Sequence, residues 1–176
     1  FTIEWIIKHY PVSGIKKTVG WFSSPWEQEA FSILDGTIKT LDALEHDVLR
    51  KQYKDYRVHA ALNCASYSCP VLRKEAFVAS DLNKQLDAQM YIWLEDPARN
   101  KFDQGKNKLH LSKVFSWFEE DFKLRSSSTK DSLIKIFNRY SLNKANKSTK
   151  ISYLSYDWSL NDASSKSDRN KKCNNL

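Results

Sequence analysis

Apolar residues recur at the spacing of an α-helix along several stretches of the chain. Residues 1–10 are apolar at positions 1, 3, 6, 7 and 10, and Pro11 follows, which predicts an amphipathic helix that ends there. The Ser24-Pro25-Trp26-Glu27 sequence has the signature of a helix start and predicts a short helix. Further helices are predicted over residues 41–53, 81–95, 113–122 and 129–140, with Thr40, Ser80 and Ser112 as N-caps of the first three.

Shorter apolar stretches predict the strands. Residues 56–63, YRVHAALN, are apolar except for Arg57, His59 and Asn63, whose positions share one face of a strand. Residues 107–111 and 151–160 predict two more strands, and Asp35-Gly36 predicts a hairpin turn because glycine supplies the positive φ. Pro70 is expected to open a short helix that runs through residue 77.

The order of these elements predicts an α+β fold, because helices outnumber strands and the two do not alternate regularly. Hydrophobic residues make up 41% of the 176 residues and aromatic residues 13%, which is enough apolar bulk for a core. We expect one domain over residues 1–161, with several helices packed around a small, mostly antiparallel sheet. Residues 162–176 are polar and are predicted to be a disordered tail.

The charge pattern narrows the classes of partner. The formal net charge is +7, yet no stripe of Lys and Arg interleaved with aromatic residues is present, so no nucleic-acid partner is expected. No apolar run approaches the length of a membrane span. A small-molecule or peptide substrate and a protein partner both fit this composition. The chain starts at Phe1 inside a helical pattern, so we expect a preceding segment to have been removed or left out.

Two of the three cysteines lie close together. Cys64 and Cys69 are five residues apart, which is not the C-x-x-C spacing of a thioredoxin-type redox motif. A zinc site usually takes four ligands in two paired clusters, and Cys173 alone does not supply a second pair. The sequence therefore predicts neither a metal nor another cofactor.

The helix predicted after Thr40 carries several charged groups. Glu45 falls inside the apolar stripe of that helix, where a carboxylate needs a hydrogen-bond donor. Asp42, His46 and Arg50 follow one another at intervals of four and line its flank. The alternative is an ordinary surface charge pair beside a structurally satisfied glutamate.

The second candidate cluster surrounds Cys64, at the end of the predicted strand. Cys69 precedes the predicted helix at Pro70, whose positive end would lower the pKa of a thiol. His59 and Cys64 are separated by roughly 16 Å if the chain between them is extended, so His46 is the better candidate for a partner of Cys64. His59 could instead meet Cys69 if the turn folds back. Inert buried thiols and a short-loop disulfide remain the structural alternatives.

Two long segments carry a family resemblance. LDALEHDVLR, residues 41–50, and YRVHAALNCASYSCP, residues 56–70, resemble the central signature of DUF547, a family of domains of unknown function. The segments FTIEWIIKHYPVSGIK, VFSWFEEDF and ISYLSYDWSLN are similar to its flanking pattern, so the resemblance covers residues 1–161. The family pattern usually begins earlier, with an aromatic- and Asn-rich helix, and often has Pro where Tyr56 stands here.

The resemblance implies candidate positions and a compartment, but no established activity. Members occur as bacterial secreted or envelope-associated proteins and as parts of larger eukaryotic proteins, which implies a periplasmic or secreted protein and leaves the cytoplasm as the alternative. By analogy, a Cys and a His on this scaffold also look papain-like or transglutaminase-like. The positions that match the family motif are Glu45, His46, Arg50, Arg57, His59, Asn63, Cys64 and Cys69.

Two functions are compatible with these residues. In the first, a thiol hydrolase or acyl transferase acts on an amide or thioester, with Cys64 as nucleophile, His46 as base and Glu45 or Asp42 orienting the imidazole. Asn63 or backbone amides of the turn would hold the oxyanion, and Arg50 and Arg57 would bind a substrate carboxylate. In the second, the chain is a non-catalytic binding or scaffold module in which Cys64 and Cys69 are structural. A dithiol redox role is a third, lesser alternative.

Overall fold

Regular structure begins one residue from the start of the chain in the computed structural model, which describes residues 1–125 and 127–162. Within those ranges the chain forms six α-helices, a π-helical segment, three short 3₁₀-helices and three strands. The α+β class predicted from the sequence is therefore confirmed. Backbone contacts divide the chain into two compact units. Among the described residues, the first unit contains 1–53, 64–69 and 157–162, and the second contains 54–63, 70–125 and 127–156.

The first unit opens with the predicted amphipathic helix. Helix α1 spans Thr2–His9 and ends before Pro11. Two 3₁₀-helices follow, Ile15–Thr18 and Pro25–Glu27. The second of these is the short helix predicted from its start signature, and the Ser24 hydroxyl accepts a hydrogen bond from Trp26 N at 3.3 Å, as a capping side chain does.

The Asp35-Gly36 turn forms as predicted, in a minimal hairpin. Ile33 and Ile38 pair in an isolated antiparallel bridge, with hydrogen bonds of 3.0 and 3.2 Å in the two directions. Leu34 and Asp35 also have positive φ values, 51° and 54°, so the left-handed stretch begins before Gly36 at φ 84°. The Asp-Gly signal therefore located the turn correctly. Three consecutive residues are left-handed, and the glycine is only the last of them.

The helix predicted after Thr40 changes its winding along its length. Helix α2 spans Leu41–Ala43 and continues as a π-helix over Leu44–Tyr53. The Thr40 hydroxyl caps it by accepting from Ala43 N at 3.0 Å. The wheel of 100° per residue does not apply to π-helical winding, and of the predicted stripe only Val48 is buried. Glu45 is half-buried, as the three leucines of that stripe are, so its predicted place within the stripe stays a prediction.

The second unit holds the sheet and the longer helices. Helix α3 spans Val58–Ala61, a 3₁₀-turn at Ala79–Asp81 leads into α4 at Leu82–Glu95, and α5 and α6 span Val114–Trp117 and Thr129–Tyr140. Strands β1, β2 and β3 span Lys101–Asp103, Lys108–Leu111 and Lys150–Tyr153. The sheet order is β1-β2-β3, with β1 antiparallel and β3 parallel to the central strand. The sheet is small, as predicted, but it is mixed, so the expectation of a mostly antiparallel sheet is wrong.

The core of the second unit lies between this sheet and helices α3, α4, α5 and α6. Trp93 and Phe115 stack at a centroid distance of 4.6 Å, and both are buried. The apolar spacing predicted this inner face of α4 at Leu86, Met90 and Trp93, although Leu82 at its start is 42% exposed. Burial of a large apolar side chain contributes about 2 kcal/mol, so this cluster stabilises the unit.

Four predicted elements differ from the structure. The strand predicted over residues 151–160 ends at Tyr153 as part of β3. Residues 56–63 are not a strand, because a turn and helix α3 occupy them, and residues 70–77 contain no helix. The predicted helix over residues 113–122 stops at Trp117, where Phe118 leaves the helical region with ψ 35°. A short apolar run fits a buried helix as well as a strand, so periodicity alone does not separate the two. The domain boundary at residue 161 stays a prediction, and the predicted tail lies outside the described residues from 163 onward.

Candidate functional site

Cys64 and Cys69 form a disulfide in the first unit, with their Cα atoms 6.3 Å apart. The loop between them contains Ala65 in the left-handed region at φ 62°. Cys64 N donates to Cys69 Sγ at 3.0 Å, and Cys64 Sγ lies 3.2 Å from Ser66 Oγ. A disulfide sulfur is not a thiolate, so the role of Cys64 as a nucleophile applies only to a reduced form and stays a prediction.

The disulfide loop is paired with a distant segment of the first unit. Residues 65–68 lie antiparallel to residues 157–161, joined by an isolated bridge between Ser66 and Leu160. Hydrogen bonds from both ends and from the middle of the loop run to this one segment. The bonds are Tyr67 N to Ser159 O (2.8 Å), Ser68 N to Asp157 O (3.3 Å), Asn161 N to Ala65 O (3.0 Å) and Asp157 N to Ser68 Oγ (2.9 Å).

A third segment packs against the same strand-like stretch. Leu160 N donates to Ser13 O at 2.9 Å. A Cβ atom on Gly14 would lie 2.7 Å from Trp158 O, so the backbones approach here more closely than a side chain permits. The Lys16 ammonium lies 3.4 Å from the centroid of the Trp158 ring, a cation–π contact that joins the two segments. The disulfide loop is therefore part of a three-segment backbone cluster.

The predicted line of Asp42, His46 and Arg50 is present on the helix. His46 Nε2 lies 3.4 Å from Asp42 Oδ1, and Arg50 Nη1 lies 2.6 Å from His46 Nδ1. A guanidinium can only donate, so Nδ1 is the acceptor and the imidazole proton is on Nε2, facing the carboxylate. Both ring nitrogens of His46 therefore have partners on its own helix. Its role as a base for Cys64, and that of Glu45 as its orienting group, stay predictions.

Arg57 lies in the second unit, where acidic groups surround it. Its guanidinium forms a two-pronged contact with Asp55, at 2.6 Å and 3.0 to 3.1 Å, and Nη1 reaches Asp87 Oδ1 at 2.9 Å. Asn83 accepts two further bonds, one through its side chain at 2.7 Å and one through its carbonyl at 3.3 Å. A guanidinium with all of these internal partners is typical of a structural arginine. The sequence had instead predicted that Arg57 binds a substrate carboxylate.

The pKa values in this network follow from the ion pairs. The hydrogen bond with Asp55 raises the pKa of Arg57, and that with Asp87 adds to it against burial, which acts in the opposite direction. Burial alone would raise the pKa of Asp55, but the hydrogen bonds from Arg57 outweigh it and hold that pKa below its usual value. Arg57 and Asp55 are therefore both charged at neutral pH.

Tyr140 extends the network from helix α6. Its hydroxyl donates to Asp87 Oδ1 at 2.7 Å and lies 3.4 Å from the hydroxyl of Tyr56. Burial raises the pKa of Tyr140, and the hydrogen bonds with Tyr56 and Asp87 raise it further, so this phenol stays protonated. The sequence did not indicate Asp55, Asp87 or Tyr140, although a carboxylate two residues before an arginine is a local signal that could have identified Asp55.

His59 is buried, with 3% of its surface exposed, rather than placed on the polar face of a strand. Its Nε2 lies 2.8 Å from Asp121 Oδ2, and its ring stacks on Phe118 at a centroid distance of 4.4 Å. A buried imidazole that has a carboxylate partner and an aromatic neighbour is satisfied as a core group. Asp121 lies 62 positions away in the sequence, and no local pattern could have identified it.

Asn63 lies in the second unit and bonds to another residue of that unit. Its Nδ2 donates to the carbonyl of Pro70 at 2.7 Å, and these two residues immediately precede Cys64 and follow Cys69. In this structure the amide nitrogen is engaged with Pro70. The role of Asn63 as an oxyanion donor therefore has no direct support and stays a prediction. Cys69 does not precede a helix, so the expected effect of a helix terminus on its thiol is wrong.

Two kinds of feature are absent from the described residues. Among residues 1–125 and 127–162, no three His, Cys, Asp or Glu side chains group closely enough to hold a metal ion. In the same part of the chain no helix has the length and apolar character needed to cross a bilayer.

Comparison with known proteins identifies one family. The model of the family described as "Protein of unknown function, DUF547" matches residues 1–94, which include both motif segments and the disulfide loop. No match was found among curated proteins or among solved structures. The papain-like or transglutaminase-like arrangement therefore stays an expectation by analogy.

Proposed function

The chain belongs to the DUF547 family, whose description names no activity, and we propose that it is a non-catalytic binding module stabilised by a structural disulfide. The observation that carries this proposal is the Cys64–Cys69 bond. In this bond Cys64, the predicted nucleophile, has no thiolate and serves as a covalent cross-link.

The surroundings of the disulfide support a structural role. Backbone hydrogen bonds from residues 157–161 hold the loop, and a side-chain bond from Asn63 to Pro70 joins the two residues that flank it. In the chain-entropy model, closing a loop of this length stabilises the fold by about 2 kcal/mol. Arg57, a second candidate site residue, is used internally by Asp55 and Asp87. The reactive and charged side chains of both clusters thus serve the scaffold.

The redox state of the pair tests the module. In a Cys173→Ser variant, Cys64 and Cys69 are the remaining cysteines. We expect iodoacetamide to add no label to the native protein without reductant and two labels after reduction and unfolding, counted by mass spectrometry. Reduction should also lower the free energy of unfolding by about 2 kcal/mol. Two labels on the native, unreduced protein would contradict the proposal.

An oxidising compartment follows from the same proposal. Disulfides persist in periplasmic and secreted proteins and are reduced in the cytosol. We therefore propose that the chain works in the periplasm or outside the cell. Trapping thiols with acid in intact cells, followed by labelling with a maleimide that shifts electrophoretic mobility, measures the state in place. Full labelling of both cysteines in cells would point to the cytoplasm instead.

The second candidate function is a thiol hydrolase or acyl transferase that acts after reduction of the disulfide. The observation that favours it is the contact between His46 Nε2 and Asp42 at 3.4 Å, because a carboxylate orients the imidazole in many nucleophilic sites. The substrate would be a small molecule or peptide with an amide or thioester bond. Arg50 argues against this candidate, since its guanidinium lies 2.6 Å from the other ring nitrogen.

Alkylation kinetics separate the two functions. A double variant, Cys69→Ser with Cys173→Ser, leaves Cys64 as a free thiol that cannot form the disulfide. An activated thiolate would react with iodoacetamide at pH 6 at least tenfold faster than free cysteine. The structural module predicts a rate no higher than that of free cysteine. Adding His46→Ala is the control, because it should slow the reaction only if the imidazole activates the sulfur.

A further inference from the structure

A turn in the first unit presents two large aromatic side chains to solvent. Ser23 N donates to Gly20 O at 3.0 Å, and the two residues between them, Trp21 and Phe22, are 95% and 98% exposed. Turns normally place Gly, Asn, Asp or Ser at such positions. Exposing a whole indole and a whole phenyl ring side by side opposes the hydrophobic effect, so this pair indicates an interaction surface.

Helix α1 adds apolar surface connected to the same segment. Ile3 and Ile7 are 63% and 68% exposed, and their spacing of four places them along one face of the helix. Tyr10, which directly follows the helix, is 56% exposed. Trp5 Nε1 donates to Thr18 Oγ1 at 2.7 Å, which fixes the helix to the segment that leads into the turn. The exposed helix face and the aromatic turn therefore belong to one anchored piece of the first unit.

The charge of this piece selects the class of partner. Residues 1–24, which form the helix and the turn, contain three lysines and a single acidic residue, Glu4, so this piece is net basic. Lys16 is engaged with the Trp158 ring, whereas Lys8 and Lys17 are exposed beside the apolar residues. Basic side chains next to exposed aromatic and aliphatic groups match a surface that is negatively charged outside and apolar beneath.

We propose that the Trp21–Phe22 turn docks this protein on an anionic lipid bilayer. The indole takes the interfacial position that tryptophan favours, the phenyl ring enters the boundary of the acyl chains, and Lys8 and Lys17 pair with lipid phosphates. Two weak signals of this kind, one apolar and one electrostatic, together give stable but reversible attachment. The inference concerns residues remote in sequence from the disulfide loop, and it does not depend on the proposed module function.

Vesicle sedimentation tests the proposal on the full chain. We expect binding to vesicles of phosphatidylcholine with phosphatidylglycerol, and at least roughly tenfold weaker binding to phosphatidylcholine alone. The double variant Trp21→Ala with Phe22→Ala should lose at least roughly tenfold in affinity for the anionic vesicles. The matched control is Tyr53→Ala with Leu142→Ala, which removes two side chains that are 71% and 73% exposed elsewhere and should leave binding unchanged.

A second measurement keeps the test independent of folding of the double variant. Lipids brominated in the acyl chain should quench part of the tryptophan fluorescence of the unaltered chain. Trp21→Phe retains an apolar ring, so it should still sediment with the vesicles but lose that quenched fraction. Failure of the unaltered chain to bind anionic vesicles would overturn the proposal. So would unchanged vesicle binding by the folded double variant, which would indicate that the exposed aromatic pair does not contact the lipid.

Discussion

Arg50 donates a hydrogen bond to His46 through atoms 2.6 Å apart, so a permanent cation occupies the Nδ1 side of an imidazole. The carboxylate of Asp42 lies on the opposite side, 3.4 Å from Nε2. Opposite charges at the two ring nitrogens specify one tautomer of the neutral ring, because only Nε2 can donate toward the carboxylate. His46 is therefore held as a link between two charged side chains along one helix.

The first prediction concerns this tautomer. In long-range ¹H–¹⁵N correlation spectra at a pH where the ring is neutral, His46 should carry its proton on Nε2. His9 is an internal control, because its Nδ1 lies 2.7 Å from the Trp5 carbonyl, which can only accept, and so Nδ1 should be protonated there. Arg50→Ala should let the His46 signals move toward a mixture of both tautomers. Identical tautomers at His9 and His46 would contradict this assignment.

The Arg57 network predicts a large loss of stability on truncation. Arg57→Ala leaves Asp55 and Asp87 without their shared cation, and we expect the free energy of unfolding to fall by about 2 kcal/mol, since the pairs are only partly shielded from solvent. Urea unfolding followed by far-UV circular dichroism measures this loss. The control is Lys51→Ala, which removes an exposed pair with Asp47 and should leave the free energy of unfolding nearly unchanged. Equal losses in the two variants would show that Arg57 is not structural.

Tyr140 predicts a loss of stability at alkaline pH. Its pKa is raised in the folded protein above the ordinary value of 10.0, chiefly by burial. The unfolded state therefore loses this proton first as the pH rises past 10, so unfolding becomes more favourable above that pH and is unaffected below it. Tyr140→Phe should weaken the alkaline dependence of the free energy of unfolding. Tyr53→Phe, at an exposed tyrosine, should leave the dependence unchanged.

Gly14 predicts that the three-segment cluster tolerates no side chain at this position. Gly14→Ala places a Cβ 2.7 Å from the Trp158 carbonyl oxygen, so one backbone segment must move. We expect a loss of about 1–3 kcal/mol in the free energy of unfolding, as for other overpacked sites. Gly20→Ala is the matched control, because nothing lies within 4 Å of its added Cβ. A loss confined to the Gly20 variant would contradict this account of the cluster.

The sequence predicted the longer helices correctly, because apolar spacing and N-caps act between residues only three or four positions apart. Helix α6, Thr129–Tyr140, has the bounds that its apolar spacing predicted, and α1 and α4 agree to within one or two residues. Thr40 caps its helix as predicted, through a bond to an amide three residues away. Ser80 does not cap α4, because a 3₁₀-turn over Ala79–Asp81 precedes that helix.

The wrong assignment of residues 56–63 has a different cause. Val58, His59 and Ala60 are consecutive and all buried, so no alternation distinguished a strand from a helix. Strand β1, Lys101–Asp103, was missed because three residues are too few for a pattern and it forms only by pairing with β2. In both segments packing against distant residues decided the backbone conformation.

The chain by itself determined the α+β class, the positions of the long helices, the family motif and the line of Asp42, His46 and Arg50, since each depends on spacing along a single segment. The tertiary structure decided what those motif residues contact. In the folded chain Cys64 forms a disulfide with Cys69, Arg57 donates a hydrogen bond to Asp87, and the buried His59 ring contacts Asp121. Such pairings depend on which segments approach in space, and loop closure between distant positions leaves no periodic signal in the sequence.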